Sequence, residues 1–245
     1  YSVFGLGLDS QFPLPEVESS SSSGAAMRFE LLPDAPSSVG DSAWFHRLLT
    51  EDGTVWMSIG RRKGGYLIRF PDMADFEISG GGGLIRCRQE VDLPGGTLRH
   101  LLLDQVLPLV LSLQGRLVIH AAAVVGPAGA IAVMGNSGAG KSTLIASLAL
   151  SGLPLLGDDC LLITLGEGVF RVVPGYPTLR LWEDVALPLL GDGAFTEKVA
   201  HYSPKLRLVR RHEGIRYAKE AVPLARVYVL PDASMQEEPA LPSVQ

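Results

Sequence analysis

The sequence predicts a mixed α/β (α+β) protein, in which a small antiparallel β module over residues 1–96 precedes a phosphate-loop core with a mixed sheet over residues 97–245. Three observations lead to this prediction. Before residue 97, short runs of aromatic and β-branched residues alternate with turn clusters. An apolar stripe with helical spacing then follows. Beyond it, a strand, a glycine-rich loop and a helix come in the order typical of nucleotide-binding cores.

The composition is that of a globular protein from a reducing compartment. Of 245 residues, 47% are hydrophobic and 19% are charged, and the formal net charge of −5 disfavours binding to nucleic acid or to an anionic membrane surface. Cys87 and Cys160 are too few for a disulfide framework and lack zinc-ligand spacing, so we expect two buried thiols and a cytoplasmic setting. No stretch stays apolar for long enough to predict a membrane span.

Six runs of the first module have the length and composition of strands: YSVFGLGL, MRFELL, TVWMSIG, GYLIRF, DFEIS and LIRCRQEV. The serine run at residues 19–23 and the glycine run at residues 80–83 are typical of the loops between strands. Tryptophans occur in both parts of the chain, and we expect Trp44, Trp56 and Trp182 to be core residues rather than platforms for base stacking.

The second part opens with an apolar helix, TLRHLLLDQVLPLVLSLQG, which Pro108 should kink or interrupt and Gly115 should cap. The runs RLVIHAAAVV and AIAVMG predict two strands, joined by a tight turn at residues 126–129 into an antiparallel hairpin. A helix over STLIASLALSG should end at Gly152. Further strands are expected in LPLLGDDCLLITL, VFRVVPG and ARVYVLP.

The strongest chemical signal is the loop at residues 135–142. It satisfies G-x-x-x-x-G-K-[ST] in full, with a strand before it and a helix after it. The glycines let the backbone curl around phosphates, and the helix N-terminus adds a partial positive charge. We expect Lys141 to reach the β- and γ-phosphates of a bound nucleotide and the Ser142 hydroxyl to ligate Mg²⁺. The predicted nucleotide-binding set is Gly135, Asn136, Ser137, Gly138, Ala139, Gly140, Lys141, Ser142 and Thr143.

An acidic pair narrows the chemistry. Asp158 and Asp159 follow an apolar run that lies one helix and a short turn beyond Lys141, so the strand end should return beside the loop. One carboxylate can hold Mg²⁺, directly or through water, and the other can accept the proton of an attacking hydroxyl. Because Asp158 comes first after the strand, we favour it as the base, with Asp159 and Ser142 linked to the metal. His120 is either a core residue or a residue that supports the base.

Two further features bear on function. The strand before the loop arrives from a tight turn, which points away from GTPases, transporters and helicases, whose sheets are parallel. A basic cluster follows the acidic pair, and it is either a solvated face or a contact for phosphates or for a substrate carboxylate. We favour Lys205 and Arg207, which alternate with leucines and so share one face, together with Arg180. The cluster comprises Lys205, Arg207, Arg210, Arg211 and Arg216.

The run VIHAAAVVGPAGAIAVMGNSGAGKSTLIASLALSGLPLLGDDCLLI resembles the catalytic core of the HPr serine kinase/phosphorylase family, which is related in fold to phosphoenolpyruvate carboxykinase. The resemblance covers residues 115–175 well. It implies a P-loop core of that kind, in which Asp158 and Asp159 are the general base and the Mg²⁺-linked carboxylate and His120 supports the base. The glycine-rich signature with which HPr kinases contact their protein substrate is missing from this sequence.

The opening YSVFGLGLDSQFPLPEV and the run PGYPTLRLWEDV are similar to the HPr-kinase-related enzymes of gene clusters for ribosomally made peptides, including lasso peptides. This similarity implies an ATP- and Mg²⁺-dependent kinase acting on a serine hydroxyl at the C-terminus of a precursor peptide. Three alternatives stay open: an HPr-like protein serine kinase/phosphorylase, a kinase for a small molecule such as free serine, and a non-catalytic nucleotide-binding regulatory module. Assembly into a homo-oligomer is also left open.

Overall fold

The computed structural model describes residues 1–19, 25–33, 43–191, 196–208 and 212–231. Within these residues the chain is mixed α/β, and its strands form three sheets. The helices are α1 (Gly95–His100), a π-helical segment (Leu101–Val106), α2 (Leu107–Leu113), α3 (Lys141–Leu150) and α4 (Glu183–Leu190). The strands are β1 (Ser2–Val3), β2 (Leu6–Ser10), β3 (Met27–Leu31), β4 (Ala43–Leu49), β5 (Val55–Arg62), β6 (Gly65–Phe70), β7 (Ala74–Ser79), β8 (Leu84–Gln89), β9 (Leu117–Ile119), β10 (Ala121–Gly126), β11 (Gly129–Met134), β12 (Leu155–Gly157), β13 (Leu161–Gly166), β14 (Val169–Val173), β15 (Arg180–Trp182), β16 (Thr196–Lys198), β17 (Lys205–Leu208) and β18 (Val222–Val229).

The first sheet has the order β1-β2-β3-β8-β7-β6-β5-β4. Strands lie in all six predicted runs, but the expectation of a purely antiparallel module is wrong, because β3 pairs parallel with both β2 and β8. Parallel pairing is possible because neither β2 and β3 nor β3 and β8 are joined by a tight turn. The edge strand β4 was not predicted, since it is exposed along most of its length and no apolar alternation marks it.

The helical segment packs against this first sheet and shares its hydrophobic core. The fully buried residues of the segment include Leu98, Leu101, Leu102, Val106 and Val110. The predicted interruption is confirmed, because the helix widens into a π turn directly before Pro108, which has no N–H to donate. The cap at Gly115 is also confirmed: its φ is +78°, and its N–H donates to the Ser112 carbonyl at 2.9 Å. Within the described residues, no helix combines the length and the apolar character that a membrane span requires.

The second sheet has the order β12-β10-β11-β18-β14-β13-β9 and contains both parallel and antiparallel pairs. The predicted hairpin of β10 and β11 is confirmed. The single strand expected over RLVIHAAAVV is instead two strands, because the chain breaks at His120 between β9 and β10. The strand expected over LPLLGDDCLLITL breaks in the same way, at Asp158 and Asp159. Each break lets the chain change pairing partners, since β9 pairs with β13 while β10 pairs with β11 and β12.

The third sheet, β15-β17-β16, completes the layer that holds α3 and α4. Its register places Arg180 opposite Arg207 and Trp182 opposite Lys205, so that these four side chains share one face. The leucines that alternate with them, including Leu181 and Leu208, belong to the hydrophobic core that also contains Ile145 of α3. The polar face is therefore turned away from that core, towards the site described next.

Candidate functional site

The phosphate-loop sequence lies between the end of β11 and the start of α3. Gly138 and Gly140 adopt φ values of +85° and +88°, in the left-handed region that side-chain-bearing residues avoid. The ammonium of Lys141 folds over the loop and donates to the carbonyls of Gly135 at 2.7 Å and Asn136 at 2.8 Å. Burial, assisted by the charge of a neighbouring lysine, lowers the pKa of Lys141. The first turn of α3 leaves backbone amides without partners inside the helix, and these can bind an anion.

Asp158 lies directly beside this loop, as the spacing predicts. The Ser142 hydroxyl donates to Asp158 Oδ1 at 2.7 Å, and the backbone N–H of Arg180 donates to Oδ2 at 2.8 Å. The residue is only 5% exposed. Burial raises the pKa of Asp158 and the adjacent Asp159 acts in the same direction, although Arg180 opposes both. The two oxygens of this carboxylate are thus both engaged inside the protein.

Asp159 and His120 form a second pair at the same edge of the sheet. The backbone of Asp159 is left-handed, with a φ of +78°, a conformation that aspartate tolerates better than most residues. His120 Nδ1 lies 2.8 Å from the Asp159 carbonyl oxygen and 3.5 Å from its Oδ1. Because a carbonyl only accepts, Nδ1 carries the proton in this contact. The His120 side chain is 52% exposed, so the alternative that it is a core residue is wrong.

Chain order leads us to expect Asp158 as the base and Asp159 as the metal-linked carboxylate, and the contacts of the pair bear on this expectation. The structure joins the Ser142 hydroxyl to Asp158 and not to Asp159, while Asp159 is the member of the pair that lines the cavity. A raised pKa would suit Asp158 as a base, but a base must first reach its proton. At this left-handed turn, Asp159 Oδ1 lies 3.5 Å from His120 Nδ1, and the charge of Asp159 also acts on Lys141 in the loop. Asp159 is thus the carboxylate that a molecule in the cavity can meet, and Asp158 is the one joined to the Ser142 hydroxyl.

Arg180 connects the two aspartates. Its Nη2 donates to Asp159 Oδ2 and to the Asp158 carbonyl, both at 3.0 Å, and its Nη1 lies 2.9 Å from Asp104 Oδ2. Burial opposes the charge, but Asp104 and Asp159 raise the pKa of Arg180 well above its ordinary value. The sequence marked Arg180 as a contact for phosphate, and the structure adds that carboxylates engage its guanidinium. Asp104 was not predicted, although an aspartate inside the run LLLDQVL is itself an unusual signal.

The structure brings Lys205 to the cavity but does not bring Arg207 there. Lys205 Nζ lies 5.2 Å from the ring centroid of Trp182, and both residues line the cavity. Arg207 is completely buried and pairs with Glu16 at 3.1 Å and Glu197 at 2.9 Å. The two cations share a strand face, as predicted, but acidic residues from distant segments surround only the second one.

The remaining expectations concern the tryptophans, the other arginines of the basic cluster and the two cysteines. Trp182 is 41% exposed, so the expectation of a core residue is wrong there, whereas Trp56 packs against the first hydrophobic core. Arg216 donates to the Gly152 carbonyl. Cys87 is buried and Cys160 is partly buried, and burial raises the pKa of Cys160 to about 12. Arg210 and Arg211 lie outside the described residues.

The site opens into a cavity of about 200 Å³. Ser142 and Asp158 offer the hard oxygen donors that Mg²⁺ prefers, so the residues present fit this ion. Within the described part of the chain no cluster of three or more histidine, cysteine or acidic side chains could hold a metal. Mg²⁺ beside a nucleotide takes only one or two protein ligands, so it needs no such cluster. The cavity is lined by His120, Ser137, Gly138, Gly140, Lys141, Ser142, Thr143, Asp159, Arg180, Leu181, Trp182, Val185 and Lys205.

Comparison with known proteins adds no relative to this description. No protein-family model matches the chain, and a search of curated proteins finds no match. The function is therefore inferred from the chemistry of the site and from the motif resemblance given above.

Proposed function

We propose that the chain is an ATP- and Mg²⁺-dependent kinase that phosphorylates a serine hydroxyl of a peptide, with a lasso-type precursor ending in serine as its substrate. The proposal includes a P-loop core related to those of HPr kinase and phosphoenolpyruvate carboxykinase. One observation carries it: the Ser142–Asp158 hydrogen bond and the Asp159–His120 pair lie side by side at the phosphate loop. This observation supports the proposal, because a metal-binding pair and a proton acceptor would then both lie within reach of one bound nucleotide.

The loop side of the cavity would hold the nucleotide. The Lys141 ammonium and the amides at the start of α3 would bind the β- and γ-phosphates, where negative charge accumulates during transfer. Ser142 and Asp158 would hold Mg²⁺, which neutralises charge on the phosphates when bound. The hydrogen bond between Ser142 and Asp158 fixes the orientation of the hydroxyl oxygen. A buried, ionised Asp158 gains from a metal ion, because the ion offsets the cost of burying its charge.

The opposite side would hold the acceptor. As the serine oxygen attacks the γ-phosphorus and the bond to ADP breaks, the Asp159 carboxylate would take the hydroxyl proton. His120, through its bond to the Asp159 carbonyl, holds the left-handed turn that directs this carboxylate into the cavity. Charge neutralisation and alignment of the two oxygens are the main contributions that a protein makes to this reaction.

Part of the cavity lining suits a peptide with an anionic end. It combines the Trp182 ring and Val185 with the Lys205 ammonium. Among the described residues Lys205 forms no ion pair, so its charge is available to a carboxylate. A serine at a C-terminus carries a carboxylate close to its hydroxyl, which matches this pairing of a cation with a proton acceptor across one small cavity.

The direct test is phosphoryl transfer to a peptide that ends in serine. The protein is incubated with ATP, Mg²⁺ and the peptide, and the mass gain of one phosphoryl group is followed, with the Ser→Ala peptide as the control. Free serine and an HPr-like protein, assayed in parallel, separate the other kinase alternatives. If ATP binds but no acceptor gains phosphate, the kinase proposal is wrong and a regulatory nucleotide-binding module takes its place.

The Lys205→Ala substitution should weaken binding of the peptide and leave binding of the nucleotide unchanged. We expect the KM for the serine-ended peptide to rise about 10-fold, as befits the loss of one charge-assisted contact, with the KM for ATP unchanged. Lys198→Ala, an exposed lysine on the neighbouring strand β16, is the matched control. A peptide with an amidated C-terminus should bind both proteins equally weakly. A rise in the KM for ATP alone would instead assign Lys205 to the phosphates.

His120→Ala should slow transfer by about 10-fold, less than the 10²-fold or more expected for loss of a base. The milder effect follows because His120 orients the Asp159 turn without itself taking the proton. The thermal midpoint should hardly change, since the side chain is half exposed. His46→Ala on the exposed strand β4 is the control. Unfolding of the His120 variant at ordinary temperature would contradict this role.

A further inference from the structure

Asp104 is a charged residue buried in the helical segment that packs on the first sheet. Its side chain is only 3% exposed, and it follows Leu101, Leu102 and Leu103, which are completely buried. It lies in the π-helical turn, a kind of distortion often found at functional sites. A carboxylate in such surroundings is costly unless donors surround it.

Three donors do surround it. His100 Nδ1 lies 2.7 Å from Oδ2, the Tyr176 hydroxyl donates to Oδ1, and Arg180 Nη1 lies 2.9 Å from Oδ2. Burial alone would raise the pKa of Asp104, but the charge of Arg180 and the bonds from His100 and Tyr176 lower it below its ordinary value. Asp104 is thus an ionised and fully bonded anchor.

Asp104 contacts one edge of the planar guanidinium of Arg180, and the other edge of this guanidinium faces the site. The guanidinium of Arg180 is rigid, so holding Nη1 at Asp104 also fixes where Nη2 points. Nη2 contacts Asp159 Oδ2 and the Asp158 carbonyl. At the site edge, Nη2 pairs with the Asp159 carboxylate but meets only the backbone carbonyl of Asp158. Asp104 supplies the carboxylate at the other edge and contributes most to raising the pKa of Arg180. Because it holds the edge that does not face the site, it also sets the orientation in which Nη2 reaches the aspartate turn.

We propose that Asp104 is a positioning residue of this site, which orients Arg180 and through it holds the Asp158–Asp159 turn in the geometry that phosphoryl transfer needs. This inference rests on the proposed kinase function. It also makes the helical segment packed on the first sheet part of the catalytic unit, because that segment supplies the anchor.

The first test is a double-mutant cycle on kcat. Asp104→Asn keeps the shape of the anchor and removes its charge, and we expect kcat to fall about 10-fold while the KM for ATP changes by less than about 2-fold. If Asp104 acts through Arg180, the substitution should have little further effect in an Arg180→Lys background. Tyr176→Phe removes one donor without changing charge and should give a smaller fall in kcat. Additive effects in the cycle would overturn the inference.

Asp75→Asn is the matched control, because Asp75 is equally buried and pairs with Arg69 instead. It should leave kcat unchanged even if it lowers the thermal midpoint. A fall in kcat after Asp75→Asn equal to that after Asp104→Asn would mean that any buried ion pair matters, and the positioning role would be lost.

The second test does not depend on activity. Arginine side-chain NMR signals report whether the guanidinium of Arg180 rotates freely, and we expect restricted rotation in the parent protein and in Asp75→Asn, and release in Asp104→Asn. A parent protein that transfers phosphate while the Asp104→Asn variant keeps full kcat refutes the positioning role alone. A parent protein without any transfer refutes the kinase proposal, and the NMR comparison then decides the positioning role: a freely rotating Arg180 in the parent would overturn it.

Discussion

Replacing Lys141 with alanine should remove most of the affinity for ATP and slow phosphoryl transfer by about 10²- to 10³-fold. The ammonium is the cation at the mouth of the loop, held 2.7 Å and 2.8 Å from two loop carbonyls. Once it is lost, the β- and γ-phosphates keep the backbone dipoles and Mg²⁺ but lose the loop's own cation, so the charge that develops on the γ-phosphoryl group is less well neutralised. Because the lost contact stabilises both the ground state and the transition state, KM should rise and kcat should fall.

Calorimetric titration with ATP and Mg²⁺, together with a circular dichroism spectrum, checks this expectation. Lys141→Arg keeps the charge but needs more room at a residue that is only 6% exposed, so it should recover part of the affinity and little of the turnover. Lys198→Ala again serves as the exposed control. A folded Lys141→Ala protein with the parent's ATP affinity would refute the assignment of the loop to phosphate binding.

Local sequence signals predicted most of the elements correctly. The tight turn at residues 126–129 gave the hairpin, and Gly115 and Gly152 marked the ends of the two helices they follow. These turns and helix ends depend on neighbours within a few residues, so they can be predicted from the local sequence. Strand β4 was not predicted, because most of its residues are exposed and its sequence shows no alternation of apolar and polar residues.

The errors have a common physical origin in contacts between distant segments. The sequence places His120 in the middle of one strand. In the structure β9 ends before His120 and β10 begins after it, because β9 pairs with β13 whereas β10 pairs with β11. Lys205 and Arg207 looked equivalent, yet only Arg207 meets Glu16 and Glu197. Periodicity assigns a residue to a face of an element, and it does not say what that face meets.

The same limit applies to the roles of the two aspartates, for which chain order and the geometry of the site give different expectations. Chain order favoured Asp158 as the base, since it comes first after the strand. The left-handed backbone at Asp159 and the hydrogen bond from Ser142 to Asp158 lead us to propose the opposite order, and neither feature has a signature in the sequence. The arrangement makes opposite predictions for two otherwise similar substitutions.

Asp159→Asn should bind Mg²⁺ and ATP like the parent protein and lose transfer by about 10²-fold or more, because an amide cannot take the hydroxyl proton. Binding of Mg²⁺ and ATP should be unchanged, since Ser142 bonds to Asp158 and not to Asp159. Single-turnover measurements at saturating ATP isolate the chemical step. Weakened ATP binding with an unchanged rate of transfer would contradict the base assignment.

Asp158→Asn should instead shift the concentration of Mg²⁺ needed for half-maximal rate upwards, along with slower transfer, because one metal-linked charge is lost. The fold should tolerate it: an asparagine oxygen still accepts from the Arg180 N–H, and burial already disfavours the charge of this carboxylate and raises its pKa. A magnesium titration of both variants separates the roles. If Asp158→Asn keeps the parent's magnesium dependence and Asp159→Asn loses it, the order inferred from the sequence was right. The left-handed turn at Asp159 would then serve the metal rather than the acceptor.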